Sequence, residues 1–120
     1  MLQKIYRLNE KEVKKVLMQK KPFFSYWVVL NTHTSKSGFW KFAIVIGSKS
    51  VINNVHRVFF RRLFYSIIEQ KYSQITAWDF VFVVKKNILL DKKNLESRES
   101  FKKDILFLLK KYQQHIDTKL

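Results

Sequence analysis

The hydrophobic positions of this chain change period repeatedly, and each change predicts an element. Val13, Val16 and Leu17 recur at helical spacing behind Asn9, a good N-cap, with Glu10 and Glu12 suited to a first turn. This predicts a short helix over about Glu10–Gln19, stopped by Pro22. Phe23–Asn31 is aromatic and β-branched around Trp27-Val28-Val29-Leu30, and predicts a strand, or a short strand followed by a longer one. Thr32–Gly38 is polar and turn-like. Phe39–Ile46 predicts a second strand, whose unbroken run Phe42-Ala43-Ile44-Val45-Ile46 suggests burial on both faces.

A helical period then sets in. Wound at roughly 100° per residue, Asn54–Glu69 places Phe59, Phe60, Leu63, Phe64 and Ile67 on one side. Asn54, Arg57, Arg61, Arg62, Tyr65, Ser66 and Glu69 fall mostly on the other. Ser73–Ala77 is a connection, and Trp78–Val84 a third strong strand ended by Lys85-Lys86-Asn87. Residues 88–95 form a loop with Leu89 and Leu90 tucked in. A last helix, about Leu95–Gln114, carries an apolar stripe of Phe101, Ile105, Leu108, Leu109 and Tyr112 under a cover of lysines. The order of elements is that of an α+β sandwich, helices packed on one sheet, with no internal repeat and no dividing linker in its 120 residues.

Charge changes the picture from fold to partner. Lys and Arg number 24 against 9 acids, a net +15 that costs stability through self-repulsion. Such a balance points to nucleic acid first and an anionic membrane surface second. Arg57 and Arg61 sit one above the other at i, i+4, a spacing that repels by a few tenths of a kcal/mol until a polyanion lies across it. The plain alternative is a solvated cationic face. Phe23, Phe24, Tyr26 and Trp27 stand beside Lys20 and Lys21, a mixture able to stack single-stranded bases, although alternation along a strand commits at least two of the four to the core.

Other chemistry finds little footing. With no cysteine there is neither a disulfide framework nor a thiolate metal site. Gly38 and Gly47 are the only glycines, too few for a phosphate-cradling loop. His33, His56 and His115 are scattered without zinc-binding spacing, and Ser48 and Ser50 have no base at a triad-like distance. His56 leans to the apolar side of its helix, which favours a packed imidazole over a general base; Asp79 opens a strand. A metal-dependent nuclease built on Asp79 and His56 is the enzymatic alternative. The first residues lack the apolar core of a signal peptide, and no apolar run approaches the ~20 residues of a membrane span, so a soluble cytoplasmic protein is the expectation.

The layout resembles the bacterial ribonuclease P protein subunit over about residues 8–111. The family's first helix, of type L-K-x-x-x-x-F-x-x-V-F, is matched with Val13 and Leu17 at its aromatic positions and Val16 at its valine. Its signature, S-K-K-x-G-N-A-V-x-R-N-R-x-K-R, coincides at Ser48, Lys49, Asn53, Val55, Arg57 and Arg62, with Arg61 for lysine. Ile52 stands for a common glycine, and Val58 and Phe59 for the asparagine and second arginine of the R-N-R triplet. The D-h-h-h-h-A-R strand appears as Asp79–Lys85 and the closing leucine-striped helix as Phe101–Lys111, which makes this a divergent relative in sequence.

The resemblance implies one domain over residues 1–120 with the order α-β-β-β-α-β-α. It also implies a left-handed βαβ crossover, of the ribosomal protein S5 domain 2 kind. It implies a subunit that is not itself the catalyst: the RNA subunit holds the magnesium ions and cuts precursor tRNA at the mature 5′ end, with no membrane and no small-molecule cofactor. Lys49, Asn53, Arg57, Arg61, Arg62 and Tyr65 would then meet RNA, Asn53 either capping its helix or reaching the RNA. A cleft of Val13, Leu17, Trp27 and Phe42 would receive the single-stranded leader. A general RNA- or DNA-binding module without a role in cleavage is the alternative.

Overall fold

The computed structural model describes residues 6–18, 22–33, 39–51, 53–86 and 88–119. Gln19, Lys20, Lys21, residues 34–38 of the expected turn, Ile52 and Asn87 lie outside the described residues. The elements are α1 (Glu10–Met18), β1 (Pro22–Phe24), β2 (Val28–His33), β3 (Lys41–Val45), α2 (Asn54–Lys71), β4 (Asp79–Val84) and α3 (Leu95–Lys119). The four strands form one mixed sheet in the order β1-β2-β4-β3. β1 pairs β2 and β2 pairs β4 antiparallel, while β3 and β4 run parallel. That parallel pair requires a crossover, and α2 supplies it.

The segment Phe23–Asn31 divides into two strands because Ser25 turns the chain. Its amide donates to the Val28 carbonyl (3.0 Å), and its hydroxyl donates to the same oxygen (2.8 Å). Asp104 of α3 accepts from the Trp27 amide (2.7 Å) and shares the single Ser25 hydroxyl proton (3.1 Å) with the Val28 carbonyl, pinning the turn to the last helix.

Strand alternation sorts the side chains into two cores. On one face Val28, Leu30, Phe42, Ile44, Phe80, Phe82 and Val84 meet the apolar sides of α2 and α3, among them Phe60, Phe64, Phe101, Ile105 and Tyr112. Phe42 and Phe80, paired in register, stack with ring centroids 4.9 Å apart. On the other face Ala43 and Val81 meet Val16 and Leu8, with Val13, Val45 and Val83 at the margin. The sheet therefore carries α1 on one side and α2 with α3 on the other.

Two polar devices set α1. Asn9 and Glu12 form a reciprocal cap: the Asn9 side chain accepts from the Glu12 amide (2.8 Å), and the Glu12 carboxylate from the Asn9 amide (3.1 Å). The other Glu12 oxygen pairs with Lys41 Nζ on β3 at 2.8 Å, tying the helix to the sheet. This hydrogen bond holds the Glu12 carboxyl below its usual range and the Lys41 ammonium above its own. Before α1 the chain lies on the outer edge of β3, where the Leu8 amide donates to the Phe42 carbonyl (3.0 Å).

The last helix runs on to Lys119, five residues past the expected Gln114, continuing the apolar stripe through buried Ile116. Of the two leucines expected inside the preceding loop, Leu90 is buried and Leu89 is exposed.

Candidate nucleic-acid interface

The basic stretch begins where β3 leaves the sheet. Ser48–Ser50 makes a single 3-10 turn, with Lys49 exposed. Asn53 caps α2, its side chain accepting from the Val55 amide (3.0 Å); of its two expected roles, the cap is the one the geometry displays. Arg57 follows one turn later and is half-buried: its Nε donates to the Ile46 carbonyl at the end of β3 (3.1 Å), and a terminal nitrogen reaches the Asn54 side chain (3.5 Å). A guanidinium carries five donors. The Ile46 bond fixes the plane of the group and leaves most of the fork for a ligand. Arg61 and Arg62 are exposed farther along the same helix. Among the described residues, none of Lys49, Arg57, Arg61 and Arg62 pairs with a carboxylate.

Tyr65, expected on this face, is instead buried, with 9% of its surface exposed. Arg7 lies over its ring, 5.2 Å from the centroid, because the segment before α1 runs beside β3 and covers this part of α2. Burial pushes the Tyr65 hydroxyl above its usual range. Phe59, expected on the apolar side, does pack against the large core, at its partly buried margin. The apolar side of α2 is as expected, and Tyr65 alone leaves the polar side, under a covering segment that no local period could announce.

The cleft beside α1 also departs from expectation. Val13 and Leu17 lie on α1, Val13 half-buried against the small core and Leu17 37% exposed. Phe42 and Trp27 do not join them. Phe42 is fully buried beneath α2 and α3, and Trp27 packs against the same large core, so both belong to the opposite face of the sheet. The cross-strand register shows what does share the face of α1: Phe24 pairs with Val29, Val29 with Val83, and Val83 with Val45. Of the four clustered aromatics, Phe23 and Trp27 pack into the core while Phe24 and Tyr26 are 57% and 77% exposed. Phe24 is thus the aromatic on the cleft side, and strand alternation from Phe23 was the signal for it.

The enzymatic alternative loses its geometry. His56 is buried at the start of α2, where its Nδ1 accepts from the Lys92 amide (3.1 Å), 3.6 Å from Asp91. Asp79 lies in register with Lys41 and His33 on the α1 face, across the sheet. Burial, then the neighbouring Glu12, pushes its carboxyl above the usual range. No group of three His, Asp or Glu side chains suited to a metal converges among the described residues. None of the described helices is long and apolar enough to cross a membrane.

Comparison with known proteins agrees with this arrangement. A family model described as ribonuclease P matches residues 2–113. A Staphylococcus aureus RNase P protein mutant, described as defective in mRNA degradation activity, superposes with a TM-score of 0.75 at 17% identity, covering 89% of this chain and 87% of that one. The RNase P protein from Thermotoga maritima gives 0.73 at 17% identity, covering 88% and 96%. No curated protein matches by sequence. At such identities the structural likeness speaks for fold.

Proposed function

Because this chain belongs to the ribonuclease P family, we propose that it binds a ribonuclease P RNA through α2 and the 5′ leader of precursor tRNA through the cleft beside α1. It thereby assists 5′-end maturation in the cytoplasm. The observation that carries this reading is the run of cations Lys49, Arg57, Arg61 and Arg62. They run from the β3–α2 junction along the first half of α2 without a carboxylate partner among the described residues, on a chain of net charge +15. An unneutralised cluster of this kind raises the energy of the folded protein and is relieved by phosphates, with release of their counterions. Arginine's planar fork suits the bidentate geometry of a phosphate. The Arg57 bond to Ile46 means less side-chain freedom is lost when that phosphate arrives.

The cleft would take single-stranded RNA by stacking on Phe24 and by contact with Leu17 and Val29. One aromatic contributes ~1–3 kcal/mol per stacked base. Aliphatic Val13 and Leu17 add shape but no stacking. The phosphodiester chemistry, with its magnesium, remains with the RNA in this reading; the protein's contribution is affinity and orientation. The test is reconstitution: adding the chain to a ribonuclease P RNA at low magnesium should restore cleavage at the mature 5′ end. Tight RNA binding without restored cleavage would favour a general nucleic-acid-binding module instead.

A further inference from the structure

A second cationic surface lies on α3, outside everything assigned above. Phe107 is 50% exposed near the middle of the helix. Its helical neighbours at i−4, i+3 and i+4 are Lys103, Lys110 and Lys111, with Asp104 at i−3, so three lysines and one acid share its stripe of the helix. Lys111 Nζ stands 5.8 Å from the ring centroid. Among the described residues none of the three lysines pairs with a carboxylate. Asp104, the acid nearest the ring along the helix, is engaged with Ser25 and the Trp27 amide.

A groove of about 450 Å³ lies between α3 and the end of α2; Phe107 does not line it, and Lys110 is the residue the ring's stripe and the groove share. Ile75, Leu106 and Leu109 give it an apolar floor, with Lys71 and Lys110 among its lining residues. Asp117 also lines it, and there accepts from the Gln113 side chain at 2.9 Å. The lysines around the ring speak against an apolar partner and for an anionic one. Flat ring, apolar slot and unpaired cations together match bases joined by phosphates.

We propose that the Phe107 face of α3, with the adjoining groove, is a second nucleic-acid site taking a single-stranded segment. A base stacks on Phe107, a neighbouring base or ribose enters the groove over Leu106, and phosphates lie on Lys103, Lys110 and Lys111. Between Lys103 and Lys111 the helix rises about 12 Å, enough to track more than one nucleotide. The site is separate from the α2 arginines, so one chain could hold two RNA segments.

The test measures anisotropy of an oligouridine of about ten nucleotides, within the ~4–16 nucleotide span of small single-strand sites. The full chain carries Phe24→Ala, Arg61→Gln and Arg62→Gln to weaken the cleft and the α2 face. In that background Phe107→Ala should reduce affinity at least fivefold and Phe107→Trp should restore it, while Phe107→Leu, which keeps the apolar bulk, should not. Lys103→Gln, Lys110→Gln and Lys111→Gln together should lower the salt dependence of binding by about 2 units of log–log slope, at ~0.7 per single-strand phosphate. Affinities within twofold of the parent for Phe107→Ala, or an unchanged slope for the lysine variant, would overturn the site. So would loss of binding to phosphatidylserine vesicles with oligonucleotide binding intact. The readout is binding alone, so it stands or falls separately from stimulation of cleavage.

Discussion

Arg57 and its neighbours Arg61 and Arg62 sit on one helix but do different things, and that difference can be measured. Arg61 and Arg62 are exposed and, among the described residues, pair with no carboxylate, whereas Arg57 also donates to the Ile46 carbonyl at 3.1 Å. If Lys49, Arg57, Arg61 and Arg62 each neutralise one phosphate, the log–log salt slope for duplex RNA is about −3.6, taking ~0.9 per phosphate. Between 50 and 200 mM salt that is a loss of roughly 150-fold in affinity. The pair Arg61→Gln, Arg62→Gln removes two contacts, leaving a slope of about −1.8 and a loss of roughly 12-fold over the same interval. Its melting temperature should stay at or slightly above the wild-type value, since two mutually repelling cations are gone. Arg57→Met keeps the aliphatic stem but takes away the donor to Ile46, which should cost about 1–2 kcal/mol, or ~4–8 °C in melting temperature, besides one phosphate contact. Filter binding of a structured RNA over a salt series, with calorimetry on the same samples, reads both quantities. A double variant that keeps the wild-type slope, or that melts as early as Arg57→Met, would refute the division of labour.

The remaining predictions concern the sheet and its margins. Phe42→Ala should cost about 3–5 kcal/mol, because the ring is fully buried and stacked on Phe80. Phe24→Ala, in contrast, should leave thermal stability nearly unchanged and weaken binding of a leader oligonucleotide, and comparing the two by denaturant titration and anisotropy tests which aromatic faces the cleft. The Asp79 carboxyl is held above its usual range by burial, so the folded state binds its proton more tightly and stability falls as pH rises from the ordinary aspartate value through the raised one. Asp79→Asn should therefore stabilise the protein at neutral pH and do little below the ordinary aspartate pKa, as read by urea melts at several pH values. Asn53→Ala removes the cap of α2 and should cost ~1 kcal/mol in the same assay.

Much of this architecture was legible along the chain because each element announces itself locally. The period of Val13, Val16 and Leu17, the run Asp79–Val84 and the leucine stripe of the last helix are properties of neighbouring residues. The cationic stretch from Lys49 to Arg62 was equally open to reading, since charge and spacing need no third dimension. Faces were harder to read. A continuous run such as Phe42–Ile46 has no alternation of polarity, so nothing within it says that Phe42 turns to α2 and Ala43 to α1.

Cross-strand register decided that question, through Phe42 opposite Phe80 and Ala43 opposite Val81. Tertiary cover decided another: Arg7, held beside β3 by its bridge to Phe42, comes to lie over buried Tyr65 from far along the chain. The sequence by itself determined which segments form, their apolar stripes and the excess of positive charge, because these follow from local sterics, burial tendency and composition. Only the tertiary structure decided which side chains those stripes leave exposed. Exposure is a relation between segments distant in sequence, and it is where Phe24 replaced Phe42 and Arg57 acquired its tie to Ile46.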